Sequence, residues 1–105
     1  MPPLRIHERV VQEFNTARAW YADRSQVAAE NSTRRFDDAK GRVRLRPTSH
    51  ALWRAGFRWA RLVQFPYLLI SHLVWRQVSV LALVHARRDA SHVLPTIRPR
   101  MEDID

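Results

Sequence analysis

Cysteine is missing from this sequence, and lysine and glycine nearly so: 105 residues hold no cysteine, one lysine (Lys40) and two glycines (Gly41 and Gly56). Without thiols there is neither a disulfide framework nor a cysteine-based zinc site, which suits a reducing compartment. His7, His50 and His72 lack the spacing of metal ligands, and nothing in the chain marks a cofactor site. No apolar run approaches the roughly 18 residues that cross a bilayer, and Met1-Pro2-Pro3 leads into charge rather than into the apolar core of a leader peptide. The chain is therefore expected to be cytoplasmic and soluble, without membrane contact. There is no internal repeat. The length fits a single domain, residues 1–105, with core enough to fold unaided.

What is abundant is positive charge. The formal net charge is +8, and because Glu102, Asp103 and Asp105 crowd the last four positions, setting their three negative charges aside leaves +11 on residues 1–101. Arginine supplies 17 of the 18 basic residues, so the charge sits on planar guanidinium forks suited to phosphate or carboxylate. A body this basic points to nucleic acid, a nucleic-acid-bound machine or an acidic protein partner.

The organising stretch is Phe57 to Asp89. Phe65-Pro66-Tyr67-Leu68-Leu69-Ile70 and the run from Val78 to Asp89 are rich in β-branched and aromatic residues, too short for independent helices, and bounded by breakers or charge, so both read as strand. Alternation places Tyr67, Leu69 and Leu73 opposite Leu68, Ile70 and Val74, and Val78, Val80, Ala82 and Val84 opposite Leu81 and Leu83. Two apolar faces make these central strands. Their link at Val74-Trp75-Arg76-Gln77 is too short for a parallel crossover, which leaves an antiparallel hairpin. The turn carries none of the usual Gly, Asn or Asp, and it leaves Trp75 at the tip, folded back as a lid or offered to a partner.

Before this stretch, Leu4-Arg5-Ile6 suits a short edge strand. Val10, Phe14, Ala17 and Tyr21 recur at the period of a helix from about Glu8. Asp23-Arg24-Ser25 breaks it, and Ser25 caps a second helix that runs to about Leu45, ahead of Pro47. So short a link makes the two an antiparallel hairpin. Gly41 lies inside the second helix, where it is expected to mark a close approach to a helix or the sheet. Leu52 to Ala55 and Phe57 to Phe65 return to strand character, with Gly56 at a bulge or bend and Pro66 at a bulge or corner. In that piece Phe57, Trp59, Val63 and Phe65 share a face with Arg61, opposite Arg58, Ala60, Leu62 and Gln64. After Asp89, residues 90–94 suit one closing turn, and Pro95 and Pro99 predict an extended acidic tail over about 95–105.

The expected fold is thus α+β, an N-terminal helical hairpin packed on a small, mainly antiparallel sheet of three or four strands. With Phe65-Pro66-Tyr67 and His85-Ala86-Arg87-Arg88-Asp89 in register behind that hairpin, the chain resembles the RelE/ParE superfamily of toxins from type II toxin–antitoxin systems, closest to the ParE-like branch. The resemblance runs over about residues 4–92, back through Pro47, Ala28-Ala29, Ser25 and Trp20-Tyr21. It departs from the pattern at Leu68, where many relatives place Arg, at Ser71, where they often place Tyr, and at His92, where they place an aromatic. In the messenger-RNA-cleaving RelE branch the arginine matching position 68 belongs to the basic set that performs the cut, so its loss counts against RNA cleavage.

Candidate residues follow. His85 ends a central strand beside two arginines; it either exchanges protons or, the plainer and favoured reading, fixes the strand end by hydrogen bonding. Arg87 and Arg88 point to opposite faces if the strand continues, one pairing with Asp89 or the helices, the other gripping phosphate or an acidic antitoxin segment. Arg54, Arg58 and Arg61 form a basic stripe on the sheet or a solvated edge. His92 as a general base is the minority reading. Trp53, Phe57, Trp59 and Phe65 read as core, but helices on only one face of the sheet leave the other partly open for a partner.

The resemblance implies a toxin that arrests growth by binding and poisoning DNA gyrase without chemistry of its own; Arg58, Arg61, Trp75, Arg87 and Arg88 are the candidates for binding the target or the antitoxin. It also implies neutralisation, in a hetero-oligomer, by an antitoxin of ribbon-helix-helix type whose acidic-amphipathic tail folds on binding. The alternative is an enzyme, a ribosome-dependent endoribonuclease in which Arg61, Arg87 or Arg88 stabilises the transition state and His85 or His92 moves protons. A third is a former toxin that survives as an antitoxin-bound module.

Overall fold

The computed structural model describes residues 3–88 and 90–103. It is built from β1 (Leu4–Ile6), α1 (Glu8–Ala22), α2 (Gln26–Leu45), β2 (Ala51–Leu52), β3 (Arg58–Arg61), β4 (Tyr67–Val74), β5 (Gln77–His85) and α3 (Ala90–Asp103). One five-stranded sheet in the order β1-β5-β4-β3-β2 is antiparallel throughout except where β1 runs parallel to β5. The α+β class and the mainly antiparallel sheet hold. Two very short edge strands bring the count to five rather than three or four.

The helical hairpin follows the expected bounds. His7 caps α1, its Nδ1 accepting from the Arg9 backbone N–H at 3.1 Å, and the Ser25 hydroxyl caps α2 by accepting from Ala28 N–H at 3.2 Å. Phe14 of α1 and Phe36 of α2 stack at 4.2 Å. Together with Val10, Ala39 and Val43 they cover one face of the sheet, against Ala60, Leu69, Val78, Val80 and Leu83.

The other face is covered as well, which overturns two expectations together. Residues 90–103 form a helix instead of a closing turn and an extended tail, and the sheet has helices on both sides. Val93, Leu94, Ile97 and Met101 of α3 pack on Phe57, Trp59, Leu68, Ile70, Leu81, Ala82 and Val84. Pro95 and Pro99 lie inside α3 but on its exposed side. Each removes one helical hydrogen bond. The opposing gain comes from Val93 and Ile97, 2% and 0% exposed, each burial contributing about 1.5–3 kcal/mol. Tertiary packing has overruled local propensity.

In β4 the predicted alternation stands, with Tyr67, Leu69 and Leu73 toward the hairpin and Leu68 and Ile70 toward α3. In β5 it does not. Ile70 pairs with Ala82 but Ser71 pairs with Val80, so Leu81 is an extra residue in a bulge. Leu81 and Ala82 therefore both face α3, and Val78, Val80 and Leu83 face the hairpin.

The strand pieces before β4 are shorter than expected. Arg54 to Phe57 is a turn, closed by Phe57 N–H donating to Arg54 O at 3.0 Å, with Gly56 at φ +81°. β3 ends at Arg61, and the corner that follows, with Gln64 at φ 73°, breaks the alternation. Phe65 consequently joins the hairpin-side core and Val63 is half exposed. Pro66 stands at that corner, directly before β4. Gly41 shows no close approach, since a Cβ there would meet nothing within 4 Å.

Candidate functional site

β1 accompanies β5 only from Val78 to Val80, yet β5 runs on to His85. α1 crosses this open edge, and between them lies a groove of about 570 Å³. One wall is the α1 row Glu13, Thr16, Ala17, Trp20 and Tyr21; the other is Pro66-Tyr67 and Leu83-Val84-His85, with Arg88 at the rim. The two Phe-Pro-Tyr and His-x-Arg-Arg segments meet here because β4 and β5 are paired, with Tyr67 directly opposite His85.

The floor of the groove is built from ring contacts. Tyr67 and His85 meet edge to face at 5.4 Å, Tyr21 and Phe65 at 4.9 Å, and Trp20 and Tyr21 at 5.0 Å. Burial, and secondarily Tyr67, hold the Tyr21 phenol above its usual value, so it remains a neutral hydrogen-bonding group. Trp20 is half exposed and carries the Arg24 guanidinium 3.6 Å over its ring. His85 Nδ1 accepts from the Arg87 backbone N–H at 3.1 Å. In the neutral ring that leaves the proton on Nε2, and it is the strand-end role that the sequence reading favours.

At the inner end of the groove Glu13 closes the strand edge. Its Oε1 accepts from the Leu83 backbone N–H at 3.0 Å, and Arg100 of α3 forks onto both carboxylate oxygens at 3.0 and 3.1 Å while donating to Leu81 O at 2.9 Å. Side chains thus stand in for a sixth strand on two otherwise unpaired edge groups. Neither residue was among the sequence candidates. The one signal was an acid at position 13 beside the apolar stripe of Val10, Phe14 and Ala17.

The remaining candidates are dispersed. Arg87 and Arg88 are exposed in the turn after β5, where Arg88 N–H donates to His85 O at 2.9 Å. The strand has ended, so the premise that they alternate between faces does not apply, and Asp89 lies outside the described residues. Arg61 pairs with Leu68, which packs toward α3, whereas His85 pairs with Tyr67 on the hairpin side. Arg61 and His85 therefore belong to opposite faces. Arg58 is half buried and donates to His50 O at 2.8 Å; it lies on the face opposite Arg61, and Arg54 lies in the preceding turn, so the three make no common stripe. His92 is exposed on α3. Trp75 is 94% exposed at the hairpin tip with φ 57°, which leaves no folded-back lid.

No protein-family model and no curated protein sequence matches this chain. Its structure, however, is similar to a chain of the chromosomal ParDE TA system from P. aeruginosa, with a TM-score of 0.62 over 81% of this chain and 96% of that one, at 12% sequence identity. The fold is ParE-like. The resemblance carried by residues 65–67 and 85–89 thus holds at the level of fold.

Proposed function

We propose that this chain is the toxin of a type II toxin–antitoxin pair, that it arrests growth by binding DNA gyrase and stabilising its cleaved-DNA state, and that it has no chemistry of its own. The observation that favours the binding reading over the nuclease reading is the register: Arg61 on the α3 side and His85 on the hairpin side cannot converge on one phosphate, so of the nuclease candidates only Arg87 and Arg88, exposed in the turn after β5, remain beside His85. His85 has also committed Nδ1 to the backbone, and position 68 holds a half-buried leucine. Catalysis of phosphodiester cleavage needs its base, acid and cation within reach of one bond.

The groove beside α1 supports the partner side of the reading. An aromatic floor rimmed by Arg88 suits an amphipathic segment bearing acidic residues, the character expected of an antitoxin tail that folds on binding. The complex would form in the cytoplasm, with a ribbon-helix-helix antitoxin.

The test is a gyrase supercoiling and DNA-cleavage assay with the purified, folded chain, alongside growth curves on induced expression. Inhibition with accumulation of cleaved DNA is expected. A folded, growth-arresting protein that leaves gyrase untouched would redirect attention to the ribosome and to cleavage of bound messenger RNA. A folded chain with no effect on growth would favour the antitoxin-bound remnant.

A further inference from the structure

From Ala39 to Arg88 the sequence contains ten basic residues and not one aspartate or glutamate. The acids just ahead of this stretch, Asp37 and Asp38, are engaged with Lys40 and Arg35 on α2 itself. At the C-terminal end of α2 the excess becomes local. Arg42 lies in the last turn of α2 and Arg46 is its non-helical C-cap, whose backbone N–H donates to Arg42 O at 2.9 Å. With Ser49 and His50 they line a cleft of about 250 Å³, room for a phosphate group.

Two features set this cleft apart from ordinary solvated charge. His50 Nε2 is buried without a hydrogen-bond partner among the described residues, a costly state for a ring nitrogen. The guanidinium groups around it are fixed by backbone carbonyls rather than by carboxylates: Arg42 Nη2 donates to Arg61 O at 2.7 Å, and Arg58 Nη1 donates to His50 O at 2.8 Å. A carbonyl orients such a group without cancelling its charge, and each guanidinium keeps further N–H donors. The Arg46 guanidinium has no partner among the described residues.

We propose that this cleft binds a phosphate of a nucleic-acid backbone, gripped by Arg42 and Arg46 with His50 Nε2–H as an additional donor, while the Ser49 hydroxyl is held in the loop by donating to Arg46 O at 2.9 Å. The site lies on the α2–β2 connection, separate from the α1 groove, and the inference does not rest on the toxin reading. A chain that failed to inhibit gyrase would leave it standing.

The experiment titrates the full-length chain against a fluorescein-labelled DNA duplex and an RNA of the same sequence, by anisotropy, across 50 to 200 mM salt on the order of counterion-release measurements. Arg42→Gln/Arg46→Gln is compared with Arg9→Gln/Arg98→Gln, which removes the same charge from exposed positions on α1 and α3. The first pair is expected to flatten the plot of log affinity against log salt by about 1.8 in slope on DNA, the loss of two phosphate contacts. The second should leave the slope within about half a unit of wild type. Equal slopes for wild type and the Arg42/Arg46 variant, or equal losses from both pairs, would overturn the proposal. Should the double variant misfold, Arg46→Gln alone is expected to cost about one unit of slope. On the wild type, the ¹⁵N resonance of His50 Nε2 is followed during addition of duplex, RNA or inorganic phosphate. Movement identifies which source of phosphate the cleft takes, and no movement with any of them refutes the site.

Discussion

Glu13 and Arg100 face each other in a two-point fork, Nη1–Oε1 at 3.0 Å and Nη2–Oε2 at 3.1 Å, across the open edge of β5. Their side chains are only 23% and 11% exposed, so the loss of either partner leaves a poorly hydrated charge behind. Glu13→Ala strands Arg100 and frees the Leu83 N–H; it is expected to destabilise the fold by about 2–4 kcal/mol in urea melts. Glu13→Gln, which keeps an acceptor for Leu83, should cost less. A cycle with Arg100→Ala gives the coupling between them.

Ile97 is fully buried on the inner side of α3. Ile97→Ala should lower stability by about 2–4 kcal/mol by the usual cost of a core cavity. Were residues 95–103 an extended tail, the same substitution would change almost nothing, so a chemical denaturation curve separates the two descriptions.

The two glycines should respond in opposite directions. Nothing lies within 4 Å of a Cβ placed on Gly41 in the middle of α2, and Gly41→Ala is expected to stabilise the protein by about 1 kcal/mol. Gly56 turns the chain at φ +81°. There an alanine would make only an ordinary contact at 3.7 Å with His72 Nε2, yet the left-handed backbone should cost about 1–2 kcal/mol. Thermal melts of both variants measure this.

Desolvation holds the His72 imidazole below its ordinary value of 6.5, with its ring 4.9 Å from that of Phe57. The unfolded chain then binds a proton more readily than the folded one. The contribution to stability is complete above pH 6.5 and is lost as pH falls from there through the depressed folded value. Stability measured from pH 8 to pH 5 should fall less steeply in His72→Gln than in wild type.

Trp75 combines near-complete exposure with φ 57°, a backbone region costly for any residue with a Cβ. Trp75→Gly is expected to raise stability by up to about 1 kcal/mol. If the proposed binding of gyrase runs through the tip, the same variant should weaken gyrase inhibition about tenfold, as loss of an exposed aromatic anchor does elsewhere. Gyrase titrations and melts on one preparation read both effects.

The helical hairpin, β1 and the β4–β5 pairing were legible in the sequence because each is written in a local period or a cap: Val10-Phe14-Ala17, Ser25, the runs around Leu69 and Val80. The C-terminal helix was not, because Pro95 and Pro99 are loud signals and the helical spacing of Val93, Ile97 and Met101 is a quiet one. With α3 unseen, the sheet face it covers read as open. The bulge at Leu81 was invisible to alternation, since an extra residue flips the phase for a reason that lies in the neighbouring strand. At the site, the union of Tyr67 with His85 followed from antiparallel pairing. The role of Glu13 could not, because its partner is 87 residues away.

That separation fixes an order of events during synthesis. The Glu13 side chain leaves the ribosome well before Arg100 does, so the edge of β5 stays unsealed on the nascent chain until α3 has followed it out. Val93 and Ile97 arrive equally late, and the apolar side chains they shield wait bare in the interval. The sheet is therefore finished only once α3 has emerged, and until then its bare face is open to any binder that reaches it first.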